Sequence, residues 1–181
     1  MELRHTVTCA CGEVRVRLEG PPIASVECLC SSCRRAGGIL EALPGAPKIV
    51  DAKGATPFVM QRKDRAEIAA GASRLRAFRL TPGAGTKRVV ATCCNTPVWI
   101  ELEAGHWLSL YGLLWKDAER PELEMRTMTG DLDDPSALPD DVPNLRHHSL
   151  RFFARLLGAW VRMGFRNPKF HVEGELDVGQ R

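Results

Sequence analysis

The chain has 181 residues, 44% of them hydrophobic, and a formal net charge of +3. A chain of this length buries a core of its own, so neither metal nor disulfides are needed merely to fold, and one domain, or one domain with an extension, is expected. So small a charge argues against nucleic acid or an acidic substrate as partner, and no run approaches the ~20 apolar residues of a membrane span. The opening "MELRHTVTCACG" lacks the apolar core of a secretion signal. The expectation is a cytoplasmic protein with no nucleic-acid and no membrane partner.

Residues 13–19, "EVRVRLE", alternate Val14, Val16 and Leu18 with Arg15 and Arg17, which predicts a half-buried strand. "GPP" ends it, and "IASVEC" is a second short strand leading into "CLCSSC". The "RRAGG" that follows predicts one helical turn stopped by glycine. Further strands are predicted at 57–61, 75–80, 87–93, 98–103 and 106–115, with turns such as "TPGAGT" between them. Many short strands punctuated by Gly and Pro indicate a mainly β domain.

Character changes near residue 116, so the expected division is a β-domain over 1–116 and an extension over 117–181 that packs on it. The extension contains an aspartate-rich loop at 129–144, "TGDLDDPSALPDDVPN", which lacks the spacing and terminal Glu of an EF-hand. "LRHHSLRFFARLLGAWVRMGFR" then predicts an amphipathic helix. At ~100° per residue, Arg151, Arg155, Arg162 and Arg166 share one stripe, and Leu150, Phe153, Leu156, Leu157, Trp160, Val161 and Met163 cover the opposite half. A basic amphipathic helix can lie on a membrane surface or meet a protein partner. The simpler expectation is that its apolar half packs on the β-domain or joins two copies into a homodimer.

Seven cysteines fall in three groups: Cys9 with Cys11; Cys28, Cys30 and Cys33; Cys93 with Cys94. In a reducing compartment, clustered thiols are metal ligands or reagents rather than disulfide partners. Zinc takes four tetrahedral ligands in structural sites and keeps one position open in catalytic ones. Cys9 and Cys11 flank one residue before a glycine turn and can converge on one ion, with the "CCNTP" turn supplying a second pair. The alternative is a set of reduced, buried thiols. Cys28, Cys30 and Cys33 leave a zinc ion one ligand short, an open position for water or a substrate thiolate. Arg34 and Arg35 would offset the charge of three thiolates and attract an anionic ligand. Beside this stand a shared arrangement of all seven sulfurs and a metal-free redox trio.

Together "CACGEVRV", "CLCSSCRRAGG" and "CCNTPVWI" resemble the glutathione-dependent formaldehyde-activating enzymes and their centromere-protein-V relatives, over roughly residues 6–115. The resemblance implies the Mss4-like fold, antiparallel β-sheets stabilised by zinc, here with a C-terminal amphipathic helix added. It implies two zinc ions, a structural one on Cys9, Cys11 and Cys94 and one associated with activity on Cys28, Cys30 and Cys33. It also implies carbon–sulfur lyase chemistry on the adduct of a thiol such as glutathione with an aldehyde such as formaldehyde. The family's late motif, C-x-x-C-G-x-P, is altered in this chain. Ala91 stands where its first cysteine would be, which leaves Cys93 as the substitute ligand, and Asn95 replaces glycine, as a residue that also visits left-handed backbone. These departures and the added helix mark a divergent subgroup. His106 and Tyr111, on a later strand, are candidates for proton transfer. Two non-enzymatic rivals remain, a zinc-stabilised interaction module and a thiol or zinc redox sensor.

Overall fold

Among the residues that this computed structural model describes, 4–116 and 119–178, alternating and continuous apolar runs become ten strands. In chain order these are β1 (Arg4–Thr8), β2 (Arg15–Glu19), β3 (Ala24–Cys28), β4 (Thr56–Arg62), β5 (Ala66–Ala70), β6 (Leu75–Phe78), β7 (Thr86–Ala91), β8 (Thr96–Leu102), β9 (Trp107–Tyr111) and β10 (Met125–Thr127). Helix α1 (Ser31–Glu41) follows β3, and helix α2 (Leu150–Arg162) follows β10. Residues 1–3, 117–118 and 179–181, which belong to the expected domain ranges, lie outside the described residues.

Strands β1, β2 and β5 form a small sheet, and the order β10-β3-β4-β9-β8-β7-β6 forms a large one. The fold is mainly β, as expected, with β10 pairing parallel to β3 and the other neighbours antiparallel. Side chains alternate across the large sheet. Val59, Val89, Trp99 and Leu108 meet Val7, Val16 and Leu18 of the small sheet. On the other face, Phe58, Met60, Val90, Ile100 and Tyr111 meet Cys33, Ala36 and Leu40 of α1 and Phe152 and Leu156 of α2. The large sheet is thus a middle layer, which is why its central strands read as continuous apolar runs.

Helix α1 is longer than the single turn expected and runs through both glycines. Gly37 does not stop it, because it serves close packing instead. A Cβ there would come within 2.2 Å of Val50 Cγ2. Strands β1, β5 and β10 also lie outside the predicted set. β5, "AEIAA", has too little apolar bulk to signal a strand, and β10 has three residues. β10 also falls beyond the boundary expected at residue 116, yet it belongs to the large sheet, with Met125 opposite Val26. Its buried Arg126 donates to Glu27 (2.7 Å) and to Asp141 (2.7 Å), which ties the aspartate-rich loop to β3.

The covered face of α2 differs from the predicted one. Phe152, Leu156, Ala159 and Met163 are buried, whereas Leu150, Phe153, Leu157 and Val161 are 89%, 54%, 55% and 53% exposed. The helix is set at this angle by His106, whose Nε2 donates to the Leu156 carbonyl (2.8 Å) and whose ring stacks on Trp160 at 5.4 Å. Beyond α2, Phe170 packs edge-on against Trp99. Backbone bonds from Ala77 N to Gly174 O and from Leu176 N to Ala77 O cover the edge strand β6. Among the described residues, no helix is long and apolar enough to cross a membrane.

Candidate metal centres and active site

The fold gathers the cysteines into two clusters, each of which could hold a metal ion: Cys9, Cys11, Cys93 and Cys94, and separately Cys28, Cys30 and Cys33. Within each, all sulfurs lie within 4.8 Å of one another. All seven thiols are free.

In the first cluster the β1–β2 turn meets the β7–β8 turn. The sulfur separations are 3.6 Å for Cys9–Cys11, 3.7 Å for Cys9–Cys93 and 3.9 Å for Cys93–Cys94. A tetrahedron with Zn–S of about 2.3 Å has edges of about 3.8 Å, so this donor set fits a zinc ion. Adjacent cysteines can share one ion only on an irregular backbone, and Asn95, at φ 51°, supplies it. Thr96 was not singled out from the sequence, yet it joins the two turns. Its hydroxyl accepts from Ala10 N (3.2 Å) and lies 3.0 Å from Cys94 Sγ. Burial works against the Cys94 thiolate, but Thr96 and the Cys11 backbone outweigh it and bring the thiol down to about 7. Burial pushes Cys9 and Cys93 up.

The second cluster sits where β3 runs into α1. Cys30 is the N-cap of α1, and its sulfur accepts from Cys33 N (3.3 Å). A thiolate is favoured at a helix N-terminus. Hydrogen bonds from Cys28 and Cys33 lower Cys30 far below the usual thiol range, with Ser32 adding to the effect. The neighbours rise in exchange: Cys28 goes to about 11, chiefly against Cys30, and Cys33 goes well above its ordinary value, chiefly against Cys28. Three sulfurs this close repel one another as thiolates, so ionising all three together requires a cation. This chemistry also fits zinc.

The surroundings of the trio differ from the sequence expectation. Arg34, read as an anion binder, spends a guanidinium N–H on the Asp131 carbonyl (2.8 Å). Asp131 in turn accepts from Ser31 N (2.8 Å) at the start of α1. Arg35 is exposed. The buried cation beside the trio is Arg88 of β7, 2% exposed, which donates to Ser32 O at 3.3 Å. It forms no ion pair with a carboxylate among the described residues, and its Nε has no partner. Tyr111 lies against Arg88 and senses Cys33 and Cys28, and burial holds its hydroxyl protonated well beyond the ordinary range. It can therefore donate a hydrogen bond at neutral pH but does not serve as a base there.

His106 is committed to α2, as described above, and is not part of this cluster. The histidine whose charge couples to Cys30 is His148, just before α2, which stacks on Phe152 at 4.7 Å. Burial lowers its pKa, with Cys30 opposing. Nothing in "RHHS" distinguishes it as a site residue, because its placement follows from Phe152, on which it stacks and which packs in the same core as Cys33.

The sequence profile of the family described as glutathione-dependent formaldehyde-activating enzyme matches residues 4–129. The chain belongs to this family. The match includes both cysteine clusters and β10 and ends before His148 and α2. A crystal structure of a Rhodobacter sphaeroides protein from a structural-genomics programme is similar over 77% of this chain and 99% of its own. Its sequence identity is 14% and its TM-score 0.46. No curated protein sequence matches.

Proposed function

We propose that the protein is a zinc-dependent carbon–sulfur lyase acting on adducts of a small thiol, glutathione-like, with a small aldehyde, formaldehyde-like. The observation that supports this best is the trio itself: three mutually close sulfurs at a helix N-terminus, with no fourth metal-binding side chain gathered among the described residues. Cys28, Cys30 and Cys33 would hold a zinc ion, which supplies charge and an open position where a substrate thiol loses its proton. Cys9, Cys11, Cys93 and Cys94 would hold a second, structural ion that clamps the first hairpin to the large sheet.

The residues around the trio have separable roles in this reading. Arg88 balances the excess negative charge of three thiolates from the buried side. Tyr111 orients that guanidinium and can donate a hydrogen bond. His148 would carry the thiol proton to the carbonyl oxygen as the C–S bond forms and carry it back from that oxygen to the sulfur when the adduct collapses. The addition joins a thiol sulfur to a carbonyl carbon and moves one proton to the oxygen, so no oxidant is needed. Arg35 is left to meet a carboxylate of a peptide-like thiol. A reducing cytoplasm would keep the thiols in the required state.

The test is thiol–aldehyde adduct exchange followed by NMR, with wild type and His148→Gln at equal zinc content. Faster exchange with wild type, reduced ten- to a hundredfold in the variant without zinc loss, supports the assignment. Exchange no faster than without protein opposes it. A redox-sensor reading draws on one observation, the half-buried Cys30 sulfur at the N-terminus of α1, flanked by two thiols. It predicts zinc release by mild peroxide in a protein without lyase turnover.

A further inference from the structure

Between Asp141 and Glu173 the chain has no acidic residue but six Arg and Lys, which leaves the rest of the molecule at net −3. Helix α2 lies in the middle of this basic segment. Its exposed surface has two edges. Arg151, Arg155 and Arg162 share one, Leu150, Phe153, Leu157 and Val161 share the other, and the small Ala154 and Gly158 lie between them. The arginine edge opens on a cleft of about 870 Å³, lined also by Arg62, Arg65 and Glu19. Arg62 is held by Asp64 (2.6 Å) and Arg155 by Glu124 (2.5 Å), while Arg151 and Arg162 have no acidic partner among the described residues. The apolar edge continues past the helix to Phe165, 60% exposed and stacked edge-on against Trp160. Phe165 has φ 58°, a conformation that is costly for a bulky residue, and it holds this exposed ring at the end of the stripe.

We propose that α2 docks the protein on an anionic lipid surface. The Leu150–Phe153–Leu157–Val161 stripe and Phe165 enter the headgroup region, and Arg151 and Arg162 meet lipid phosphates. Charge decides between occupants. A second copy seated on the apolar edge would leave Arg151 and Arg162 without a counter-charge, and a nucleic acid would leave the apolar edge in water. An anionic bilayer satisfies both edges at once. The expectation of no membrane partner rested on the absence of a span, and a helix lying on the surface needs none.

The test is co-sedimentation of the zinc-loaded full chain with vesicles of phosphatidylcholine alone and with a quarter of phosphatidylglycerol. Binding is expected only to the anionic vesicles and is expected to weaken in high salt. Each arginine contributes about fivefold to partitioning, from about 1 kcal/mol per charge, so Arg151→Ala with Arg162→Ala lowers it about 25-fold. Phe153→Ser with Leu157→Ser, at exposed positions that leave the circular dichroism unchanged, abolishes detectable binding. No sedimentation, or equal sedimentation with both vesicle types, overturns the proposal. So does a dimer in light scattering that Phe153→Ser with Leu157→Ser dissociates, or a preference for RNA over vesicles.

Discussion

Replacing His106 with alanine separates a structural histidine from a catalytic one. The ring is 7% exposed, donates one hydrogen bond to the Leu156 carbonyl and stacks parallel on Trp160. The hydrogen bond contributes about 1 kcal/mol, the stacking about 1 kcal/mol, and the vacated ring volume costs about another 1 kcal/mol. The variant should lose about 3 kcal/mol of the 5–15 kcal/mol typical of a folded domain, read as a lower urea midpoint. The loss should also depend on pH. Burial, with Lys63 nearby, lowers the His106 pKa below 6.5. The unfolded chain therefore binds the proton more readily, and this contribution is complete above about 6.5 and fades as pH falls toward the folded value. The variant should lack that part of the acid sensitivity while matching wild type in zinc content and in the thiol–aldehyde activity proposed above. A variant with a wild-type midpoint but no activity would refute the reasoning and return His106 to the active site.

Three further outcomes follow from the same geometry. Arg88→Met keeps the bulk but removes the buried charge beside the trio, so zinc affinity there should fall about ten- to a hundredfold with the four-sulfur site unaffected, read by competition with a chelator. Glu101→Gln leaves Lys63, 3% exposed and 2.6 Å from the carboxylate, without its counter-charge. It should cost about 3–5 kcal/mol in denaturant unfolding. Burial tends to raise the Glu101 pKa, but Lys63 and Lys87 outweigh it and hold it below 4.5, so the wild-type contribution is complete above about 4.5 and is lost as pH falls through the folded value. Gly37→Ala drives a methyl into Val50 and should destabilise by about 1–2 kcal/mol despite the better helix propensity, and Val50→Ala in the same chain should restore part of the loss.

The three cysteine groups were legible because ligands offered to one metal ion from a single turn need short spacings, and those spacings are in the sequence. The strands of the middle layer were legible for a similar reason, since burial on both faces leaves long apolar runs at β4, β7, β8 and β9. What stayed hidden depends on distant partners. β10 is specified by Arg126 reaching Glu27 and Asp141, not by any pattern in its three residues. Arg34 and Arg35 stood next to the trio in sequence, but the buried cation there comes from Arg88, 55 residues beyond Cys33. Likewise, α2 reads as an amphipathic helix from its own residues, yet the orientation that leaves Leu150 and Leu157 exposed is set by His106 and Trp160.

The central claim is that the trio holds a zinc ion separate from the four-sulfur cluster. The most direct test is elemental analysis of zinc per chain, on protein purified without chelator, for wild type and for Cys30→Ser. The account predicts two ions in wild type and one in the variant, with the circular dichroism unchanged because the four-sulfur cluster still clamps the sheets. One ion in wild type, unchanged in the variant, would contradict it and leave Cys28, Cys30 and Cys33 as thiols without a metal.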